Sequence, residues 1–78
     1  MANFTREELR NQDLRFDNEN WLDEFNQEQV SMELVERGSE DFHLWLNGQL
    51  HATFRTFNGL QRRANTLIER HHLERSAE

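Results

Sequence analysis

Apolar and polar positions alternate most regularly between Phe42 and Phe54, where Phe-His-Leu-Trp-Leu runs through Asn47-Gly48 into Gln-Leu-His-Ala-Thr-Phe. Asn-Gly between two alternating runs is the strongest short-range hairpin signal. Two registers satisfy it. A two-residue Asn47-Gly48 loop sets Leu46 opposite Gln49 and Leu44 opposite His51, which mixes both faces. A three-residue loop, Leu46-Asn47-Gly48, with Gly48 as the left-handed residue of a bulge, sets Trp45 opposite Gln49 and Leu44 opposite Leu50. That register gathers Phe42, Leu44, Leu50, Ala52 and Phe54 on one face. It leaves Asp41, His43, Trp45, Gln49, His51 and Thr53 on the other. A one-residue slip scatters the apolar set, so burial favours the three-residue loop.

The same period of two begins earlier. From Gln29 to Arg37, Val30, Met32 and Leu34 fall on one side and Ser31, Glu33 and Val35 on the other, until Gly38-Ser39 interrupts. A three-stranded antiparallel meander over residues 29–54 follows. The period then changes: Phe57, Leu60, Ala64, Leu67, Ile68 and His71 form one helical stripe, with Gln61, Arg62, Asn65 and Glu69 opposite. The spacing predicts a helix over 56–72, capped by Thr56 or Asn58, covering one sheet face. The polar tail, 73–78, is expected to fray.

At the front, Thr5-Arg-Glu-Glu8 is a capping box and predicts a short helix. Asp17-Asn-Glu-Asn20 supplies cap residues ahead of Trp21, Leu22 and Phe25, which suit one side of a second short helix or an ordered turn. Phe4, Leu9 and Leu14 also recur every five residues, but three such units are too few to stack as a solenoid. The expected fold is α+β and a single domain. An acidic helical segment, 1–28, precedes the three-stranded sheet, 29–54, and the C-terminal amphipathic helix packs on one sheet face.

Charge changes this picture more than length does. The chain of 78 residues carries a net charge of −6. Residues 1–41 hold twelve acids against four arginines, a net of −8, while residues 42–78 hold three acids against five arginines, a net of +2. An acidic front half repels nucleic acid and attracts basic surfaces. Every basic side chain is arginine, suited to planar, bidentate pairing. There is no Cys, so neither a disulfide nor a thiolate metal site can support the fold. With no apolar run of about 20 residues and no signal-like start, a cytoplasmic protein is expected and no membrane contact.

Candidate chemistry is sparse. In the three-residue-loop register His43 and His51 face each other with Asp41 one step along, a weak candidate metal set. No cofactor is expected. No Gly-rich phosphate loop, nucleophile elbow or His-Glu-x-x-His occurs, so the chain is not expected to be an enzyme. Arg55, Arg62, Arg63 and Arg70 form a potential basic strip. The order helix, three strands, helix resembles double-stranded-RNA-binding domains, with Arg62-Arg63-Ala64 similar to the basic pair opening their last helix. Strands followed by a helix are also similar to the small DNA-binding modules at the front of phage integrases. That resemblance covers about residues 29–72, lacks the family's lysines, and implies an alternative function in nucleic-acid binding.

Small size, acidic charge and the lack of Cys and catalytic motifs together resemble phage-encoded inhibitors of host nucleic-acid machinery, anti-CRISPR proteins among them. What that resemblance implies is a DNA mimic that occupies a basic surface of a nucleic-acid-handling protein complex. Carboxylates of Asp13, Asp17, Glu19, Asp23, Glu24 and Glu28 then stand in for phosphates, and Trp21 and Phe25 supply a desolvated anchor. A generic adaptor or homodimer, joined through Trp45 and the outer sheet face, is the third reading.

Overall fold

The computed structural model describes residues 4–18 and 29–76. Thr5 caps α1 (Arg6–Asn11): its hydroxyl accepts the Glu8 N–H at 3.2 Å, and the Glu8 carboxylate accepts the Thr5 N–H at 3.2 Å. The capping box therefore forms as the sequence predicts. The chain then departs from expectation. Leu14–Asp17 is a strand, β1, with Leu14 and Phe16 buried at 3% and 0% exposure. The second helix or ordered turn expected at Trp21, Leu22 and Phe25 lies outside the described residues.

Next come β2 (Ser31–Gly38), β3 (Asp41–Leu46), β4 (Gln49–Phe54), α2 (Phe57–His71) and β5 (Glu74–Arg75). All strand pairs are antiparallel, in one five-stranded sheet of order β4-β3-β2-β1-β5. The α+β class, antiparallel sheet and C-terminal helix agree with the sequence; the sheet has five strands, not three. The helix, three strands, helix order of RNA-binding domains is thereby lost, because β1 separates α1 from β2 and β5 follows α2.

The core lies on one sheet face. Leu14, Phe16, Met32, Leu34, Phe42 and Leu44 meet the stripe of α2 at Leu60, Ala64, Leu67 and Ile68, with Phe4, Leu9, Val30 and Leu73 completing the cluster. Thr56 caps α2 by accepting the Gly59 N–H at 3.1 Å. Left-handed His72 (φ 56°) ends the helix. Gln61 Nε2 donates to the Phe4 carbonyl at 3.0 Å and the Phe4 and Phe57 rings meet edge-on at 5.6 Å, so α1 and α2 share this inner face. The tail continues as structure: Leu73 is 3% exposed, Arg75 pairs with Phe16, and the Ser76 N–H donates to the Arg15 carbonyl at 3.0 Å.

The central hairpin corrects the expected register. Leu46 pairs with Gln49 across a two-residue turn in which Asn47 (φ 51°) and Gly48 (φ 79°) are both left-handed. Two positive φ values define the turn whose twist suits a hairpin. The extra residue sits further along, at His51, between the pairs Trp45–Leu50 and Leu44–Ala52. This bulge restores Ala52 and Phe54 to the core face. Leu50 stays on the outer face, 50% exposed, rather than in the core.

Candidate functional site

With both helices on the inner face, no described helix lies over the outer face of the sheet. Across four strands one row there reads Arg15, Glu33, Trp45 and Leu50. The Arg15 guanidinium donates to Glu33 Oε2 at 3.1 Å, but 70% of the Arg15 side chain is exposed, so water screens the pair and its net stabilisation is small. Trp45 is half-buried, and its indole N–H is buried without a hydrogen-bond acceptor among the described residues. Leu50 is the one exposed large apolar side chain among them. Beside Trp45 a shallow recess of ≈130 Å³ opens between Arg15, Ser31, Glu33 and Gly48.

The predicted acidic residues divide. Asp13 and Asp17 both line an open cleft at the β1–β5 edge, with Gln12, Arg15, Ser31, Arg75 and Ser76. Asp13 is exposed; Asp17 is half-buried and accepts the Ser76 hydroxyl at 2.6 Å. Two arginines interleave these carboxylates, so the cleft is mixed rather than a run of phosphate-like charges. Glu19, Trp21, Asp23, Glu24, Phe25 and Glu28 lie outside the described residues. Asn18 and Gln29 bound that segment. There Asn18 Oδ1 accepts the Val30 N–H at 2.9 Å and the Asn18 N–H donates to the Val30 carbonyl at 3.3 Å. This neck lies at the same sheet end as the Asn47 turn, whose N–H reaches the Ser31 carbonyl at 2.7 Å.

The metal candidate does not assemble. His43 pairs with Thr53, not His51, because the β4 bulge moves His51 out of register. His43 Nε2 meets Asp41 Oδ1 at 2.9 Å, whereas His51 Nε2 accepts from Arg63 Nη2 at 3.2 Å. No cluster of three metal-ligating side chains forms among the described residues.

The arginines sort by location. Arg6 and Arg10 both approach Glu36, at 3.6 and 3.5 Å; Arg15 pairs with Glu33, and Arg75 with Glu8 at 2.7 Å. Arg55, Arg62 and Arg70 are exposed and Arg63 is half-buried, and none of the four lies within ion-pair distance of a carboxylate among the described residues. No described carboxylate neutralises these four arginines, three of which lie on α2 and one just before it.

Sequence reasoning placed Trp45 on the outer face but missed Leu50 beside it. The preference of Asn-Gly for the two-residue turn was the signal that could have found it. No helix among the described residues is long and apolar enough to cross a membrane. Compared with protein-family models, curated proteins and solved structures, the chain matches none.

Proposed function

We propose that this chain is a non-enzymatic protein-binding module of the cytoplasm that presses its outer sheet face against a basic, nucleic-acid-binding surface of another protein and so occupies it, in the manner of anti-CRISPR inhibitors. The observation that supports this reading is the recess beside Trp45. An aromatic face, the Glu33 carboxylate and the neighbouring Leu50 together suit an arginine or lysine side chain of the partner. A cation over an indole contributes roughly 0.5–2 kcal/mol, the larger figure when water is excluded. The incoming cation competes with Arg15 for Glu33, and the exposure of Arg15 makes that exchange cheap. The acidic residues flanking the neck, Asp17 and beyond it Glu19, Asp23, Glu24 and Glu28, steer the encounter by charge.

The test is affinity capture from nuclease-treated host lysate with the wild-type chain and with the Trp45→Ala/Leu50→Glu double variant. A retained nucleic-acid-binding protein, lost with the double variant and displaced from labelled DNA or RNA by the wild-type chain, supports the proposal. Equal retention by the double variant, or loss of every captured protein on nuclease treatment, overturns it. With the partner in hand, Asp23→Lys/Glu24→Lys should slow association and flatten its salt dependence.

A further inference from the structure

The nine arginines of this net-acidic chain are not distributed as charge balance alone would place them. Arg6, Arg10, Arg15 and Arg75 are each spent on a carboxylate. Of the remaining five, Arg37 is exposed on β2 beside the β2–β3 turn, and the other four gather along α2 and the strand end that leads into it. On the helix, Arg62, Arg63 and Arg70 surround Thr66, away from the buried stripe of Leu60, Ala64, Leu67 and Ile68. Arg63 and Arg70 are seven residues apart, two turns, so their Cα atoms stand about 10 Å apart along the axis. Arg55 extends the strip past the helix start. The first turn of α2 carries no acidic residue, which leaves the positive end of its dipole uncompensated beside Arg55. Glu69 borders the strip on one side and is the only acid on α2.

We propose that this strip, Arg55, Arg62, Arg63 and Arg70, is a second binding surface that contacts the sugar-phosphate backbone of a nucleic-acid strand without reading its sequence. Net charge does not forbid it. Screening at physiological salt acts over about 8 Å, whereas the shortest dimension of the molecule is 19 Å. Carboxylates on the far side of the sheet are therefore screened from a phosphate at α2, and those of Glu8, Glu33 and Glu36 are already held in ion pairs. Four guanidiniums along about 20 Å of helix and strand end stand about 7 Å apart on average, roughly one for every second phosphate at a repeat of 3.4 Å on one strand, so several phosphates are in reach at once. No aromatic side chain lies on the solvent side of α2, so no stacking platform accompanies the charges. The contact is electrostatic, and it uses the face opposite the one proposed above for a protein.

The experiment is fluorescence anisotropy of a labelled single strand and a labelled duplex, each about 20 nucleotides long so that several registers are open, titrated with the full chain. Between about 50 and 200 mM salt, binding through three to four phosphate contacts should weaken roughly 40- to 150-fold on the duplex. Arg62→Gln/Arg70→Gln leaves the Arg63–His51 contact in place and should lower the salt slope by about 1.8, or 0.9 per charge removed. Arg62→Gln/Arg63→Gln/Arg70→Gln should abolish binding at 50 mM salt. No binding with the protein at about 100 µM, the weak end of non-specific affinity, overturns the proposal. So does a triple variant that melts like wild type and binds as well. Vesicles of phosphatidylserine bound in place of nucleic acid would assign the strip to a membrane surface and equally overturn it.

Discussion

Asn47 carries out three tasks, two with its backbone and one with its side chain. Its backbone adopts φ 51°, its Oδ1 accepts the Ser31 N–H at 2.9 Å, and its own N–H donates to the Ser31 carbonyl at 2.7 Å. Two substitutions separate the tasks. Asn47→Gly keeps the left-handed backbone and loses only the acceptor for an exposed N–H, at a cost of about 0.5–1 kcal/mol. Asn47→Ala loses the acceptor and also strains the turn, for a total of about 2 kcal/mol. Urea midpoints of the two variants measure the difference; equal midpoints would show that the left-handed backbone is not what the turn requires. Glu36 shows the same economy in charge. Its side chain is 13% exposed and faces Arg6 and Arg10 at 3.6 and 3.5 Å, while Arg6 also lies over the Phe42 ring, 5.4 Å from its centroid. These distances exceed those of charge-assisted hydrogen bonds, so the trio holds α1 over the sheet end mainly by charge and packing.

At the scale of elements, the sequence was legible wherever one period ran long enough to count. The stripe of α2 and the capping box of α1 were read correctly because fifteen helical residues in one case and a reciprocal four-residue motif in the other leave few alternatives. The β1 strand was missed because Leu14-Arg-Phe-Asp17 offers only two alternations, too few to outweigh the helix start before it. The β5 strand was missed because Glu74 and Arg75 are charged, exposed and only two residues long. Their pairing is fixed by tertiary partners that local pattern cannot reveal. Arg75 lies over the Phe16 ring at 5.8 Å and reaches Glu8, while the Ser76 hydroxyl reaches Asp17. The candidate site was legible in part for a related reason: alternation put Trp45 outside, but it could not say whether the extra residue of the hairpin fell in the turn or at His51. The tail therefore makes a sharp test. Truncation after His72 removes Leu73 from the core and uncovers one edge of Phe16, and should cost about 2–4 kcal/mol in a denaturant titration. A frayed tail would cost nothing measurable.

For the whole molecule, the −8 and +2 halves of the sequence do not become two separate charged bodies. The chain ends cross: β5 from the basic half pairs with β1 from the acidic half, and Arg75 neutralises Glu8. What survives folding is a division by face rather than by half. The outer sheet face holds Trp45, Leu50 and a labile Arg15–Glu33 pair, and the solvent side of α2 holds arginines that no carboxylate among the described residues neutralises. A sheet and the full width of a helix of about 10 Å separate the two faces, beyond the 7–10 Å at which substitutions begin to couple. Leu50→Glu should accordingly leave anisotropy with labelled nucleic acid within a factor of two. Arg62→Gln/Arg70→Gln should leave protein capture on the outer face intact. Each change sits on exposed surface and should shift stability by less than about 0.5 kcal/mol, and the combined variant by their sum within about the same margin. A coupling energy of 1 kcal/mol or more would mean that the two faces share one rearrangement, carried either by packing through the common core of Leu34, Leu44 and Leu60 or by the Arg63–His51 contact next to Leu50.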